Sequence, residues 1–204
     1  MDHATIALIE RRISANVFDT SHTLADDEIE ELVRLATRAP SAYNLQNWRF
    51  IAVRAAASKA RLRSLAYGQA KVSDAAVTFI ICGQLPDYTT LSQRLQPFVD
   101  AGHMPAATAS GWQEDARTRY ADPQKARDEA VRSATLGAAT LIYAAEAKGL
   151  VSSPMIGFDA EGVALQFRLE RNEVPVMLVP VGRPAPGNWP QKPRRPLSEV
   201  LHLS

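Results

Sequence analysis

The chain has 204 residues, 46% hydrophobic and 22% charged, and its 23 basic and 22 acidic side chains leave a formal net charge of +1. That length suits one domain burying roughly 70% of its unfolded surface, and the near-neutral balance excludes a nucleic-acid binder running on a broad basic face. Cys82 stands alone and His3, His22, His103 and His202 are scattered, so no internal disulfide or metal cluster is expected and the compartment is read as reducing.

The first sixteen residues mix charges and hold no apolar run of signal-peptide length, and no segment approaches the ~18 apolar residues that span a bilayer, so a soluble, cytoplasmic protein is expected. Residues 2–12 read as a short helix offering Ile6, Leu8 and Ile9 for burial, with Arg11 and Arg12 at the end where cations suit the helix dipole. Thr23 and Asp26 suggest a weak capping box, after which Ile29, Leu32, Val33 and Ala36 share one helical face and Pro40 bars continuation. Trp48–Val53 is rich in strand formers, and 76–82 is a continuous apolar run expected to be buried on both faces.

Between about 84 and 128, Pro86, Pro97, Pro105 and Pro123 interrupt the pattern and only weak helical tendency is assigned. The alanine-rich run from Pro123 to Lys148 predicts a long helix, small on much of its circumference and closed by Gly149. Another helix is expected over 159–170, then a strand from Val174 to Val181 whose Pro175 and Pro180 argue for an unpaired edge. The tail from Arg183 is proline-rich and extended, yet Trp189, Leu197, Val200 and Leu201 are too apolar to stay uncovered, and a partner subunit is one candidate cover. Helices separating late strands without βαβ alternation predict an α+β fold.

The glycines form neither G-x-G-x-x-G nor a P-loop, and there is no G-x-S-x-G elbow or H-E-x-x-H helix. Cys82, in mid-strand, reads as a buried inert thiol. Three polar clusters remain. Arg11–Asn16 sets guanidinium beside hydroxyl, a pairing suited to phosphate, although taken alone a solvated helix end explains it better. Pro40–Trp48 is dense in amides and hydroxyls that suit a planar heterocycle or a plain turn, and Lys192–Arg195 is a basic stretch in the tail.

Together these stretches resemble the FMN-dependent nitroreductase family: Arg12-Ile13-Ser14 as its basic-x-Ser motif, Ala39–Trp48 as its A-P-S-x-x-N-x-Q-x-W loop, and Lys192–Pro196 as its K-x-R-x-P tail. Gly68–Lys71 leading into Asp74–Val77, and Ala144–Leu150 followed by Pro154–Phe158, look like further landmarks. The resemblance implies a nitroreductase-like α+β fold over 1–204, with a mainly antiparallel sheet flanked by helices, a variable lid at about 86–125, and a C-terminal arm, about 183–204, exchanged between the subunits of a homodimer.

It further implies that Arg11, Arg12, Ile13, Ser14 and Asn16 from the N-terminal side and Lys192 and Arg194 from the tail surround the FMN phosphate. Pro40, Ser41, Ala42, Asn44 and Gln46 would approach the flavin at the subunit interface, Ser41, Ala42 and Asn44 from the other subunit. Gln69 and Lys71 would lie near the pyrimidine, where a cation stabilises the reduced flavin, and Pro154, Met155, Ile156 and Gly157 would bring backbone donors to N5.

The chain departs from the pattern at Ile13 and Asn16, where basic residues are common, and at Ile156, where one branch is acidic. No catalytic side chain and no metal ligand is assigned. The implied activity is ping-pong transfer of hydride from NAD(P)H through FMN to a nitroaromatic, quinone or similar electron-poor acceptor. The alternatives are a reductive dehalogenase or an enal or semialdehyde reductase on the same fold, or a non-catalytic flavin-binding protein. Tyr88, Phe98, His103, Trp112 and Tyr120 are the lid side chains able to cover a substrate.

Overall fold

The computed structural model describes residues 3–204. In chain order the helices are α1 (Ala4–Arg11), α2 (Asp26–Ala36), α3 (Ala56–Leu65), α4 (Lys71–Asp74), α5 (Leu91–Asp100), α6 (Ala106–Arg119), α7 (Pro123–Ala147), α8 (Ala160–Gln166) and α9 (Leu197–Val200). The strands are β1 (Trp48–Val53), β2 (Val77–Gln84), β3 (Val151–Ser152) and β4 (Glu173–Gly182), joined antiparallel in the order β1-β2-β4-β3.

Strand alternation divides the core into two layers. Val77, Phe79 and Ile81 of β2, with Val179 and Val181 of β4, face α2 and α7. Ile80 and Cys82, with Leu178, face the opposite side and pack with Leu62, Val72, Met155 and Val163. The apolar run is therefore buried on both faces, as its composition predicts. Burial pushes the Cys82 thiol up to about 12, which keeps it protonated and inert.

The small residues of α7 let it approach β2 closely: a Cβ on Gly83 would lie 2.2 Å from the Ala130 carbonyl oxygen, so only glycine fits there. Asp122 caps α7 by accepting from Gln124 N (2.9 Å), Pro123 occupies the first turn, and Gly149 closes the helix at φ +74°.

Several expectations are corrected. Asp2, placed in the first helix, lies outside the described residues, and α1 buries none of its side chains: Ile6 and Ile9 are each 48% exposed. The cap of α2 is Ala25, whose N–H donates to Glu28 Oε2 (2.9 Å), not Thr23 with Asp26; alanine offers no acceptor in return, so only half of a capping box forms. The 84–128 stretch forms two full helices, α5 and α6.

The unpaired edge expected of β4 is present in part: β2 pairs along one side, whereas the other meets β3 only at Val181 and Gly182 and Met155 at Leu178. Each proline has its own accommodation. Pro175 sits where the β2 register shifts at Ile81/Cys82, while Pro180 accepts from Ser153 N (3.0 Å) on the side away from β2. The helix expected over 159–170 is shorter, Ala160–Gln166, and the tail ends in α9. Trp189 (62%), Leu197 and Leu203 stay exposed on this chain. No helix among the described residues is long and apolar enough to cross a membrane.

Candidate anion cleft and adjoining pocket

Residues 12–19 have no regular structure of their own and find partners on both sides. Ala15 N donates to Ser152 O of β3 (2.9 Å), and Asp19 N donates to Arg183 O (3.0 Å) at the start of the tail. The tail then runs back along this segment. Asn188 Oδ1 accepts from Asn16 N (2.7 Å) and Val17 N (3.0 Å), its Nδ2 donates to Val17 O (2.7 Å), and Gln191 Nε2 donates to Arg12 O (3.0 Å). One asparagine thus satisfies three backbone groups of the N-terminal segment and, through Ala185 O (3.0 Å), one of its own, which fixes the register of two chain ends 172 positions apart.

The product is a small pocket of about 40 Å³ whose polar walls are Arg12, Ser14, Gln191, Lys192 and Arg194. Its lining holds three cations, a hydroxyl and no carboxylate. The Arg12 guanidinium donates to the Ile13 carbonyl (2.9 Å) and that of Arg194 to the Lys192 carbonyl (2.8 Å), so both rest on neutral backbone. Lys192 Nζ stands 5.8 Å from the Trp189 ring centroid, and Lys71 is close enough that burial, first, and the charge of Lys192, second, hold its ammonium below the usual lysine range. Positive charge gathered without acid is costly to hold and is relieved by an anion.

Of the predicted phosphate residues, Arg12, Ser14, Lys192 and Arg194 meet here. Arg11 does not: its Nε donates to Glu146 Oε1 on α7 (3.0 Å). Ile13 packs on Ala15, Phe18, Ala75 and Val151, and Asn16 contributes a backbone N–H to Asn188.

Gln69 and Gly157 are joined directly, Gln69 Nε2 donating to Gly157 O (2.9 Å) and to Ala66 O (3.1 Å). After Pro154, Met155 is tied to Leu178 by hydrogen bonds in both directions (2.9 Å each), which leaves the Ile156-Gly157 step projecting: Ile156 is 80% exposed. A Cβ on Gly157 would meet only Gln69 Nε2 at 3.5 Å, an ordinary contact.

The 40–48 loop has a different character. Tyr43 (φ 52°), Asn44 (φ 57°) and Gln46 (φ 48°) all adopt left-handed backbone, a strain of about 1–3 kcal/mol each that the surroundings must sustain. Ser41 Oγ accepts from Gln46 N (2.9 Å), Leu45 is fully buried, and Asn47 Nδ2 donates to Gln84 O (2.9 Å). The helices from the unassigned middle of the chain complete the clamp. Arg94 of α5 donates to Leu45 O, and Tyr43 OH donates to Asp115 of α6 while its ring makes edge contacts with Trp112 (5.9 Å) and Tyr120 (6.2 Å). The Asp115 hydrogen bond is the main reason the Tyr43 hydroxyl is held above its usual range.

None of this loop's hydrogen bonds reaches the cation cleft. Instead Asn44 opens on a second, larger pocket of about 510 Å³, lined mainly by α5 and the residues up to α6, including Arg94, Phe98, His103 and Trp112. Among the lid aromatics Tyr88 and Tyr120 pack inward with Leu45 and Leu91, whereas Phe98, His103 and Trp112 face the pocket. Sequence reasoning missed Tyr43, Arg94, Asn188 and Gln191; Asn44, a residue type that tolerates left-handed backbone, is the one local signal of the loop's unusual conformation.

The nitroreductase family model matches residues 9–183. YodC of Bacillus subtilis (strain 168), named as an NAD(P)H nitroreductase, is 32% identical over 197 residues, covering 96% of each chain. The NADH dehydrogenase of Thermus thermophilus is 34% identical over 202 residues, covering 98% of this chain and 95% of its own. An FMN complex from Exiguobacterium sibiricum 255-15 superposes with a TM-score of 0.89 at 24% identity over 100% of this chain and 99% of its own, a likeness of fold.

Proposed function

The chain belongs to the nitroreductase family, and from that premise we propose that it is an FMN-dependent oxidoreductase, working as a homodimer, that takes hydride from NAD(P)H and delivers it to a nitroaromatic, quinone or similarly electron-poor acceptor. The observation that carries this reading is the acid-free cleft of Arg12, Ser14, Lys192 and Arg194 built jointly by both chain ends. Its chemistry fits a phosphate dianion: guanidinium forks match phosphate oxygens, Ser14 adds a neutral donor, and the mutual repulsion of Lys71 and Lys192 is relieved when the negative charge arrives. YodC is named for NAD(P)H and the Exiguobacterium structure holds FMN, which support the same cofactor pair here.

On this reading Arg12, Ser14, Lys192 and Arg194 hold the phosphate, while Lys71 places a cation where charge accumulates on reduction. Gln69 braces the Gly157 carbonyl and so fixes the projecting Ile156-Gly157 backbone against the ring. When bound, FMN supplies hydride acceptance and release, so no side-chain acid, base or nucleophile is required. Pyridine nucleotide and acceptor occupy one pocket in turn, which accounts for the lack of a dinucleotide-binding fingerprint. We read 1–204 as one domain with a lid at 86–125 and an arm from 183. The half-exposed Ile6 and Ile9 and the bare Trp189, Leu197, Val200 and Leu201 supply the apolar surface that a second subunit covers. Ser41, Ala42 and Asn44 serve the partner's flavin, consistent with a loop whose bonds lead away from its own cleft. Nothing in this arrangement requires secretion, and a cytoplasmic location goes with it.

The test is spectroscopic. Purified protein is expected to carry an oxidised-flavin absorbance that NADH or NADPH bleaches without added acceptor, and that a nitroaromatic or quinone restores. An absorbance that neither nucleotide bleaches would overturn the enzyme in favour of a flavin-binding protein. Restoration only by an enal or halogenated aromatic would move the substrate class to the alternative reductases.

A further inference from the structure

The pocket beside Asn44 is one-sided in its chemistry. Its volume of about 510 Å³ falls in the range of small-molecule sites, and Leu95, Phe98, Met104 and Trp112 give it an apolar, partly aromatic wall. His103 is stacked on Phe98, ring centroids 5.0 Å apart. Within this wall stands one permanent charge, Arg94, and no carboxylate.

Arg94 forms no ion pair among the described residues. Its hydrogen bond goes to the Leu45 carbonyl, a neutral acceptor that occupies one of five donors. Arg94 also lines a smaller cavity with Asp87, but no ion pair joins them, and Asp87 Oδ1 accepts from Thr89 N (3.0 Å) and Thr89 Oγ1 (2.5 Å).

Resting on the functional reading above, we propose that this pocket selects planar aromatic acceptors bearing an anionic group, with Arg94 as the specificity-determining residue. The aromatic body lies against Phe98 and Trp112, and the carboxylate or sulfonate meets the guanidinium fork. Because Arg94 also anchors Leu45, the same side chain that reads the acceptor's charge steadies the loop that carries Asn44 and Gln46.

Titration calorimetry of the purified protein in saturating FMN, with 2-naphthoate and its neutral counterpart 2-naphthamide, tests this without turnover. Naphthoate is expected to bind at least about tenfold more tightly, about 1.4 kcal/mol. Arg94→Gln should erase that preference, Arg94→Lys should restore part of it, and Phe98→Ala should weaken both ligands alike. Equal binding of the two ligands, a preference that survives Arg94→Gln, or a naphthoate affinity indifferent to Phe98→Ala would each overturn the proposal. Failure of the oxidoreductase reading shows separately, as a flavin absorbance that NADH and NADPH leave unbleached.

Discussion

Arginine occurs both on helices α2 and α6 and in the cleft between the chain ends, but its company differs. On α2, Arg34 is held by both oxygens of Glu31 (2.6 and 2.8 Å), and on α6 Arg117 is held by Glu114 in the same i,i+3 arrangement. These pairs raise the arginine and lower the glutamate from their ordinary values through mutual hydrogen bonds, yet they lie at the surface and screening leaves them little stabilising weight. In the cleft, Arg12, Lys192 and Arg194 have no carboxylate. The contrast holds within the tail itself, where Arg195 is paired with Glu199 (2.9 Å) one residue from Arg194. What marks a ligand site is the missing counter-charge rather than the density of basic residues, and the net charge of +1 conceals it by summation.

The largest effect is expected from removing one side of the cleft. Deleting the residues after Gly182 takes away Lys192, Arg194 and the Asn188 bracket together with the exposed apolar arm, and is expected to give a flavin-free or monomeric product by absorbance and light scattering. A truncated dimer that retains its full FMN would refute the assignment of the arm. Next in size, Arg12→Ala and Arg194→Ala should each weaken FMN binding by roughly 1.5–3 kcal/mol, the range for charged hydrogen bonds. Arg117→Ala, with its neighbouring glutamate as sole partner, should leave the FMN dissociation constant unchanged. If the cleft and helix arginines gave the same result, the distinction drawn from their partners would fail.

What is legible in the sequence depends on the kind of force that fixes each part of the molecule. The two-sided burial of 77–84 and the small-residue packing of α7 were legible because hydrophobic pattern and residue size decide them. The cap of α2 was not, because Ala25 contributes only a backbone N–H and the choice lay with the reach of Glu28. The 84–128 helices are hidden for different reasons: α6 buries little besides Ala109 and Ala116 and has no clear apolar stripe, whereas α5 does align Leu91, Leu95 and Phe98 on one face but carries Pro97 in its second half, which reads as an interruption. The prolines of β4 point to an unpaired edge, but how much of that edge stays open is set by topology, here by a β3 only two residues long. In the site, the motif spacing located Arg12, Ser14, Lys192 and Arg194, but Arg11 and Arg12 are indistinguishable in sequence. Only the fold shows that Glu146 claims the first.

Lys71 offers the smallest effect and the sharpest reversal of sign. Burial, aided by Lys192, lowers its folded pKa below 10.5, the value the unfolded chain retains. Between the two values the unfolded state binds more protons, so FMN-free stability rises with pH across that window, and at neutral pH the protonated ammonium weighs against the fold. Lys71→Gln should therefore raise the melting temperature of the FMN-free protein at neutral pH, on the order of 1 °C because much of the side chain remains in water. The gap should close as pH climbs toward 10.5 and Lys71 deprotonates. With FMN present the ordering should invert, since the charge that burdens the empty cleft is the one a phosphate and a reduced ring require. A variant less stable than its parent both with and without FMN would mean that Lys71 supports the fold by packing, and the set of uncompensated cations would shrink to the three that line the pocket.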